Sequence, residues 1–315
     1  MLLIKKDKRC EMKIAIIGAG GVGSYLGAKL LKASNDVSLL ARGAHLKAIQ
    51  AEGLHVIDEG IKFHVSSRYF YSSFDSFMRF DLVIFTTKTF DLEEACNIIQ
   101  PNTHQSTILM SISNGVGHKE TLKKHFPNLL VCEACIYILS NLIQPGVIKK
   151  YGGVFQLFIG SDEVPPKKLE ELYHLFNQAN LKTKVSTKIS LECWRKYLFI
   201  SSFAIMTTFY NESMGEIVKN HEEELRKVLK EIIKLANKKG ISLEQRNLEQ
   251  VIYRAKTSLP YNSKTSMQLD FEQNKQSELY ALCGYLIDES EKLGLELPTI
   301  QSLYKWLLIK ANQTA

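Results

Sequence analysis

The sequence has no uncharged apolar run of the ~20 residues that a helix needs to cross a bilayer, so a membrane-spanning protein is not expected. Its first residues, "MLLIKKDKRCE", are too short and too charged to hold the apolar segment of a secretory signal. They read as a polar extension of no evident use. Without such a signal, Cys10, Cys96, Cys132, Cys135, Cys193 and Cys283 are expected to be reduced thiols of a cytoplasmic protein. Cys132 and Cys135 form a C-x-x-C, but no second pair and no pair of histidines accompanies it. The surrounding "LLVCEACIYIL" reads as a buried strand, so no metal site is expected. Internal repeats and low-complexity tracts are also missing. No nucleic-acid motif supports the basic balance of +7, which implies either a solvated lysine-rich surface or attraction for small anions. No nucleic-acid or membrane partner is therefore expected.

What is present is an ordinary globular balance, 45% hydrophobic and 23% charged, in a chain of 315 residues. At about 150 residues per domain, that length suggests two domains. The first half alternates short apolar runs with helix-compatible segments: "IAII", "DVSLLAR", "DLVIFTTK" and "TILMSISNG" are separated by stretches such as "DLEEACNIIQ". This alternation predicts an α/β domain with a parallel, doubly wound sheet. "GLHVIDEGIKFHV" predicts a hairpin about "DEG". Two or three further strands are expected around Pro145-Gly146 and Gly152-Gly153, then a helix over "PKKLEELYHLFNQAN" and a short strand "KTKVST". From about Ile189 the pattern is helical. Leu225, Val228, Leu229, Ile232 and Ile233 recur at helical spacing before Gly240 stops them. Pro260 breaks the pattern and "SMQLDFEQNKQSELYALCGYLIDESEKLG" resumes it.

Gly18-Ala19-Gly20-Gly21-Val22-Gly23 follows the first strand and opens a helix, the context in which G-x-G-x-x-G signals dinucleotide binding. Gly18 permits the tight turn, Gly20 lets the backbone approach a pyrophosphate, and Gly23 lets helix and strand pack closely. The pyrophosphate is expected at the helix N-terminus. NAD sites usually end the second strand with a carboxylate, and none stands here. The strand ends at Ala41-Arg42, and a guanidinium suits a ribose 2′-phosphate, so NADPH is expected. The next two strands end at Thr87-Lys88 and Asn114-Gly115, and ligands of open parallel sheets lie beyond these ends. Lys88 suits either a cofactor phosphate or a substrate carboxylate. Asn114 suits either a plain turn or a contact to nicotinamide or substrate.

In "ECWRKYLFISSFAIMTTF" the stretch from Tyr197 to Phe209 carries no charge, and Lys196 stands at its entrance beside Trp194. Local sequence allows two readings. Either the lysine packs its stem and keeps its head in water, or burial lowers its pKa and makes it a proton donor.

With the glycine turn, "LLAR" ending at Arg42, "TTK" ending at Lys88 and "NGVG" starting at Asn114, the chain resembles the ketopantoate reductases, also called 2-dehydropantoate 2-reductases. Trp194-Arg195-Lys196 is similar to that family's W-x-K, whose lysine is the proton donor. "SMQLD", Ser266 to Asp270, is similar to its substrate-binding serine segment, with Asp270 read as structural. Glu278 stands at the spacing of its second catalytic residue. "GLELPT" also looks family-like. The likeness covers nearly the whole chain after residue 11.

The resemblance implies a Rossmann-type NADP-binding domain over residues 12–188 and a mostly α-helical substrate and catalytic domain over 189–315, with the active site in the cleft between them. It implies hydride transfer from NADPH to the C2 ketone of 2-dehydropantoate, giving (R)-pantoate for pantothenate and coenzyme A. Lys196 and Glu278 would be catalytic, and Asn114 and Ser266 would join them in holding a small 2-keto acid. Glu278 would either accept a hydrogen bond from the nascent hydroxyl or tune Lys196. One departure stands out. Where the family carries asparagines that face the substrate, this chain has Ile200 and Ala204, one and two turns beyond Lys196. Another branched 2-keto acid is therefore an alternative, as is a substrate contact from Ser201, Ser202 or Asn262. A non-catalytic NADPH-binding protein is a further alternative, which Lys196 and Glu278 weigh against. The oligomeric state is not legible, a homodimer staying open.

Overall fold

A computed structural model describes residues 12–313. The polar extension before residue 12, with Cys10, lies outside the described residues. The chain divides into two compact units. The first holds the residues up to Ser113 together with Gly117–Ile189, and the second holds Asn114–Val116 and the chain from Ser190 onward.

In the first unit, β1 (Lys13–Ile17), α1 (Gly21–Lys32), β2 (Asp36–Leu40) and α2 (Gly43–Glu52) lead into the hairpin β3 (Leu54–Asp58) and β4 (Ile61–Val65). β5 (Phe70–Tyr71), β6 (Leu82–Phe85), α3 (Leu92–Ile99), β7 (Ile108–Ser111) and α4 (His118–His125) follow. The long strands β8 (Leu130–Gln144) and β9 (Val147–Gly160), then α5 (Pro166–Gln178) and β10 (Thr183–Val185), complete it. Among the described residues the ten strands form one sheet in the order β4-β3-β9-β8-β7-β6-β1-β2-β5, with β10 beside β9.

The apolar runs are continuous because both faces of the sheet are covered. Along β1, Ile14 and Ile16 enter one core while Ala15 and Ile17 enter another; Leu82 and Ile84 of β6 part from Val83 and Phe85 in the same way. The expected parallel sheet is in fact mixed. β3 and β4 are antiparallel about Glu59-Gly60, and β8 and β9 are antiparallel about Pro145-Gly146, because a two-residue turn can only reverse a strand. Gly152-Gly153, expected near a strand boundary, lies inside β9. There the pairing jumps from Phe155 to Tyr151 opposite Ile138 and Leu139, so the glycines bulge out of one continuous strand.

The second unit is helical: α6 (Ile189–Tyr210), α7 (Met214–Asn220), α8 (Glu222–Lys238), α9 (Gln245–Thr257), α10 (Ser266–Glu272), α11 (Tyr285–Lys292) and α12 (Pro298–Gln313). From Tyr197 onward α6 is apolar because it is the core of this unit, where Tyr197, Leu198, Phe203, Ile205 and Met206 are buried. Ser201, Ser202, Thr207 and Thr208 are buried with them, and the first three find acceptors, whereas Thr208 Oγ1 has none among the described residues. Ser202 and Thr207 each donate to the carbonyl four residues back, both at 2.7 Å. α8 is amphipathic, with Leu225, Val228, Leu229, Ile232 and Leu235 inward and three glutamates in its first turn, where they complement the helix dipole. The helical run expected from Ser266 to Gly294 is interrupted. α10 stops at Glu272, Asn274 takes a left-handed φ of 51°, and a wide π-helical turn over Tyr280–Gly284 precedes α11. Among the described residues no helix is long and apolar enough to cross a membrane.

Leu229 is fully buried against the other helices of this core. Leu229→Ala is expected to destabilise the second unit by about 2–5 kcal/mol, read as a lower urea midpoint in far-ultraviolet circular dichroism. An unchanged midpoint would contradict the packing described here.

Candidate active site

The glycine turn is built around missing side chains. Gly18 has a φ of +101°, and a Cβ there would lie 2.9 Å from both Cγ2 and N of Thr87. A Cβ on Gly23 would lie 2.2 Å from Gly18 O and 2.3 Å from Thr86 Oγ1. α1 therefore starts directly against the ends of β1 and β6. Gly20 has open space where a side chain would stand, which leaves its backbone accessible. Gly21 has a further duty: its Cβ would meet Ser140 O at 2.3 Å, and Ser140 Oγ donates to Gly21 O at 2.8 Å. β8 thus passes tightly over the start of α1. Ala19 is buried, its N–H donating to Leu40 O, and Val22 packs on the core. α1 begins with no side-chain cap and no acidic residue in its first turn. Its first N–H groups and partial positive charge remain for an anion, which fits the pyrophosphate of a dinucleotide.

Beside this turn the carboxyl ends of the strands are stitched together. Thr86 Oγ1 donates to Gly18 O at 2.6 Å, and Ser113 Oγ donates to Thr87 O at 2.7 Å. Thr87 Oγ1 is buried and finds no hydrogen-bond partner among the described residues. An orphaned hydroxyl against the glycine turn is an unmet demand that a bound ligand would satisfy. Lys88 is the residue immediately before the short 3-10 turn Thr89–Asp91, with no side-chain cap bond to it. Arg42 is the N-cap residue of α2, and its guanidinium is 77% exposed, donating from Nη2 to Asp91 Oδ2 at 2.5 Å.

The sequence reading missed His45, one turn into α2. It is buried, its Nδ1 accepts from Gly146 N–H at 3.0 Å, and its Nε2 lies 3.4 Å from Ser24 Oγ. Burial lowers its pKa, an effect that a hydrogen bond to the Ala19 backbone partly offsets. His45 thereby ties the α2 corner to the glycine turn and to the β8–β9 turn. Nothing in the local sequence separates such a histidine from a surface one.

In the second unit, Lys196 and Asn114 meet although 82 residues separate them: Lys196 Nζ donates to Asn114 Oδ1 at 3.0 Å. Asn114 follows β7 by three residues, where the chain first enters this unit. Lys196 is half-buried on the first turns of α6, between the buried Trp194 and Tyr197. Glu278 falls within the run expected to be helical from Ser266 to Gly294. The structure places it instead in the break before the π turn, only 4% exposed. Ser266 is exposed at the first position of α10, behind its cap Thr265, whose hydroxyl meets Thr207 Oγ1 at 2.8 Å. Ile200 is half-buried and Ala204 buried, an apolar continuation of the helix beyond Lys196. Ser201 and Ser202 do not replace the absent asparagines, because both are fully buried with their hydroxyls donated to backbone carbonyls, Leu282 O and Leu198 O. Asn262 stays exposed.

Among the described residues no cluster could hold a metal ion. Cys132 and Cys135 are buried in β8 without a disulfide, and burial pushes the Cys132 thiol up to about 12. An ammonium with an amide acceptor on the same helical unit as a buried carboxylate can deliver a proton to an oxygen that gains negative charge. A glycine turn of this geometry can hold a dinucleotide. Gly23→Ala is expected to weaken dinucleotide binding by more than about tenfold with the circular dichroism spectrum retained, as measured by fluorescence titration. Unchanged affinity would mean that the turn holds no pyrophosphate.

The sequence matches the family description "Ketopantoate reductase PanE/ApbA" over residues 14–162 and "Ketopantoate reductase PanE/ApbA C terminal" over residues 188–311. It is 28% identical over 296 residues to an uncharacterized oxidoreductase, YkpB, of Bacillus subtilis, covering 93% of this chain and 97% of that one. It is 29% identical over 310 residues to the 2-dehydropantoate 2-reductase of Pyrococcus horikoshii, covering 96% and 98%. Among solved structures, a PanE/ApbA family ketopantoate reductase from Ralstonia eutropha superposes with a TM-score of 0.88 at 26% identity, covering 96% and 99% of the two chains. A D-mandelate dehydrogenase with NADH and anilino(oxo)acetate superposes at 0.86 with 22% identity, covering 96% and 99%, and shares the fold. Together with the glycine turn and the Lys196–Asn114 contact, these likenesses establish that the chain belongs to the ketopantoate reductase family of oxidoreductases.

Proposed function

We propose that the protein is an NADPH-dependent 2-dehydropantoate 2-reductase. The observation that carries this reading is the hydrogen bond from Lys196 Nζ to Asn114 Oδ1, which holds an ammonium in place beside a second polar group. When bound, the reduced nicotinamide supplies a hydride to the C2 keto carbon. Lys196 donates a proton to the carbonyl oxygen as that oxygen becomes negative, and regains it from solvent. A positioned acid of this kind contributes on the order of 10²–10⁴-fold. Asn114 orients the ammonium and offers its amide to the substrate. Glu278 accepts a hydrogen bond from the nascent hydroxyl. Ser266, on an exposed helix start, takes the substrate carboxylate. The glycine turn, with Thr87 and Lys88, holds the dinucleotide, and Arg42 reads its 2′-phosphate.

A second reading, the reduction of a different branched 2-keto acid, is favoured by one observation. Beyond Lys196 the helix offers Ile200 and the buried Ala204, neither of which can bind the distal hydroxyl of 2-dehydropantoate. NADPH oxidation by the purified protein against a panel of 2-keto acids separates the two. Turnover several-fold higher on acids lacking that hydroxyl would decide for the second.

Lys196→Ala is expected to lower turnover by roughly 10²-fold or more with NADPH binding retained. Turnover that survives would remove Lys196 from the donor role. Arg42→Ala is expected to weaken NADPH far more than NADH, measured as the ratio of their dissociation constants. Equal losses would exclude the 2′-phosphate contact.

A further inference from the structure

The wide turn after Glu278 is held by two hydroxyls of α6. In the π turn Tyr280–Gly284, the N–H of Tyr285 reaches the carbonyl of Tyr280, five residues back instead of four. Such a turn interrupts the regular ladder and is rare unless other groups support it. Here Tyr197 Oη donates to Ala281 O at 2.9 Å and Ser201 Oγ donates to Leu282 O at 2.5 Å. The two donors stand one turn apart on α6, and their acceptors are consecutive carbonyls of the π turn. Both donors are fully buried. Burial drives the Tyr197 phenol well above its ordinary pKa, so it remains a donor at every working pH. The turn is fixed from its other side too. A Cβ on Gly284 would lie 2.6 Å from Tyr304 Oη and 2.7 Å from Tyr280 Cδ2.

The extra residue of a π turn rotates what precedes it by about 100° relative to the helix that follows. Glu278 enters this turn, its carbonyl accepting from Leu282 N–H at 3.0 Å, and α11 is anchored in the core by Leu286. The register of the turn therefore decides where the Glu278 carboxylate points. We propose that Tyr197 and Ser201 are positioning residues that hold the π turn and thereby aim Glu278. Part of the helix that carries Lys196 is thus given to orienting the Glu278 carboxylate. This rests on the reading of Glu278 as a group that touches substrate.

The test uses Tyr197→Phe and Ser201→Ala, each of which removes one donor and almost no volume, alone, together and combined with Glu278→Gln. Readouts are kcat on the best 2-keto acid of the panel, KM for NADPH, the pH profile of kcat and the thermal midpoint. The double variant is expected to lose roughly 10- to 100-fold in kcat, as misplacing a group near the reacting atoms does, with KM for NADPH within about twofold. Its pH profile should move toward that of Glu278→Gln, and it should cost little further kcat when Glu278 is already glutamine. Loss of kcat that multiplies fully with that of Glu278→Gln, or a wild-type kcat in the double variant, would overturn the positioning role. A wild-type kcat in Glu278→Gln itself would overturn the reading of Glu278 and, with it, the inference. If the double variant does not fold, the single variants are judged by the same two criteria.

Discussion

The first unit depends on a clearance: at Gly18 and Gly23 nothing extends beyond the backbone, and the neighbouring atoms stand closer than any Cβ tolerates. That clearance lets α1 begin directly on the ends of β1 and β6. The hydroxyl of Thr86 then closes on Gly18 O, Ser113 ties the end of β7 to that of β6, and β8 crosses Gly21. The electrostatic consequence is local. A helix start with no cap and no acidic neighbour, next to an orphaned threonine hydroxyl, is a place where an anion is stabilised. The parallel strands set this level and the missing side chains keep it open.

The second unit solves a different problem. The apolar stretch of α6 buries Ser201, Ser202, Thr207 and Thr208 along with Tyr197 and Phe203, and a buried hydroxyl is costly without a partner. Ser202 and Thr207 use their own helix, whereas Tyr197 and Ser201 reach to carbonyls of the π turn. The same residues that fill the core thus stabilise an irregular backbone next to Glu278. The sequence shows two hydroxyls in an apolar helix, and only their partners reveal a purpose.

Legibility followed the range of the interaction. The fold class could be read because covered strands are continuous apolar runs and α8 repeats at 3.6 residues, both local signals. The "DEG" hairpin could be read for the same reason. Gly152-Gly153 could not, since a glycine pair marks a turn and a bulge equally well, and only the opposite strand decides. The break between Glu272 and Leu279 was hidden because its residues are compatible with a helix; Asn274 in the left-handed region and the π turn are set by packing. Arg42 could be placed at a strand end, but its ion pair with Asp91 joins positions 49 residues apart.

By itself the sequence determined the two-part organisation, the helix-opening glycine turn and the membership that its ordered motifs spell out, because each depends on neighbours within a few residues. Tertiary structure alone decided that Lys196 would meet Asn114, that Glu278 would be buried, and that Ser201 and Ser202 would turn to carbonyls. The physical reason is that the partner of a buried polar group is chosen by which distant segment packs against it, and no spacing along the chain records that choice.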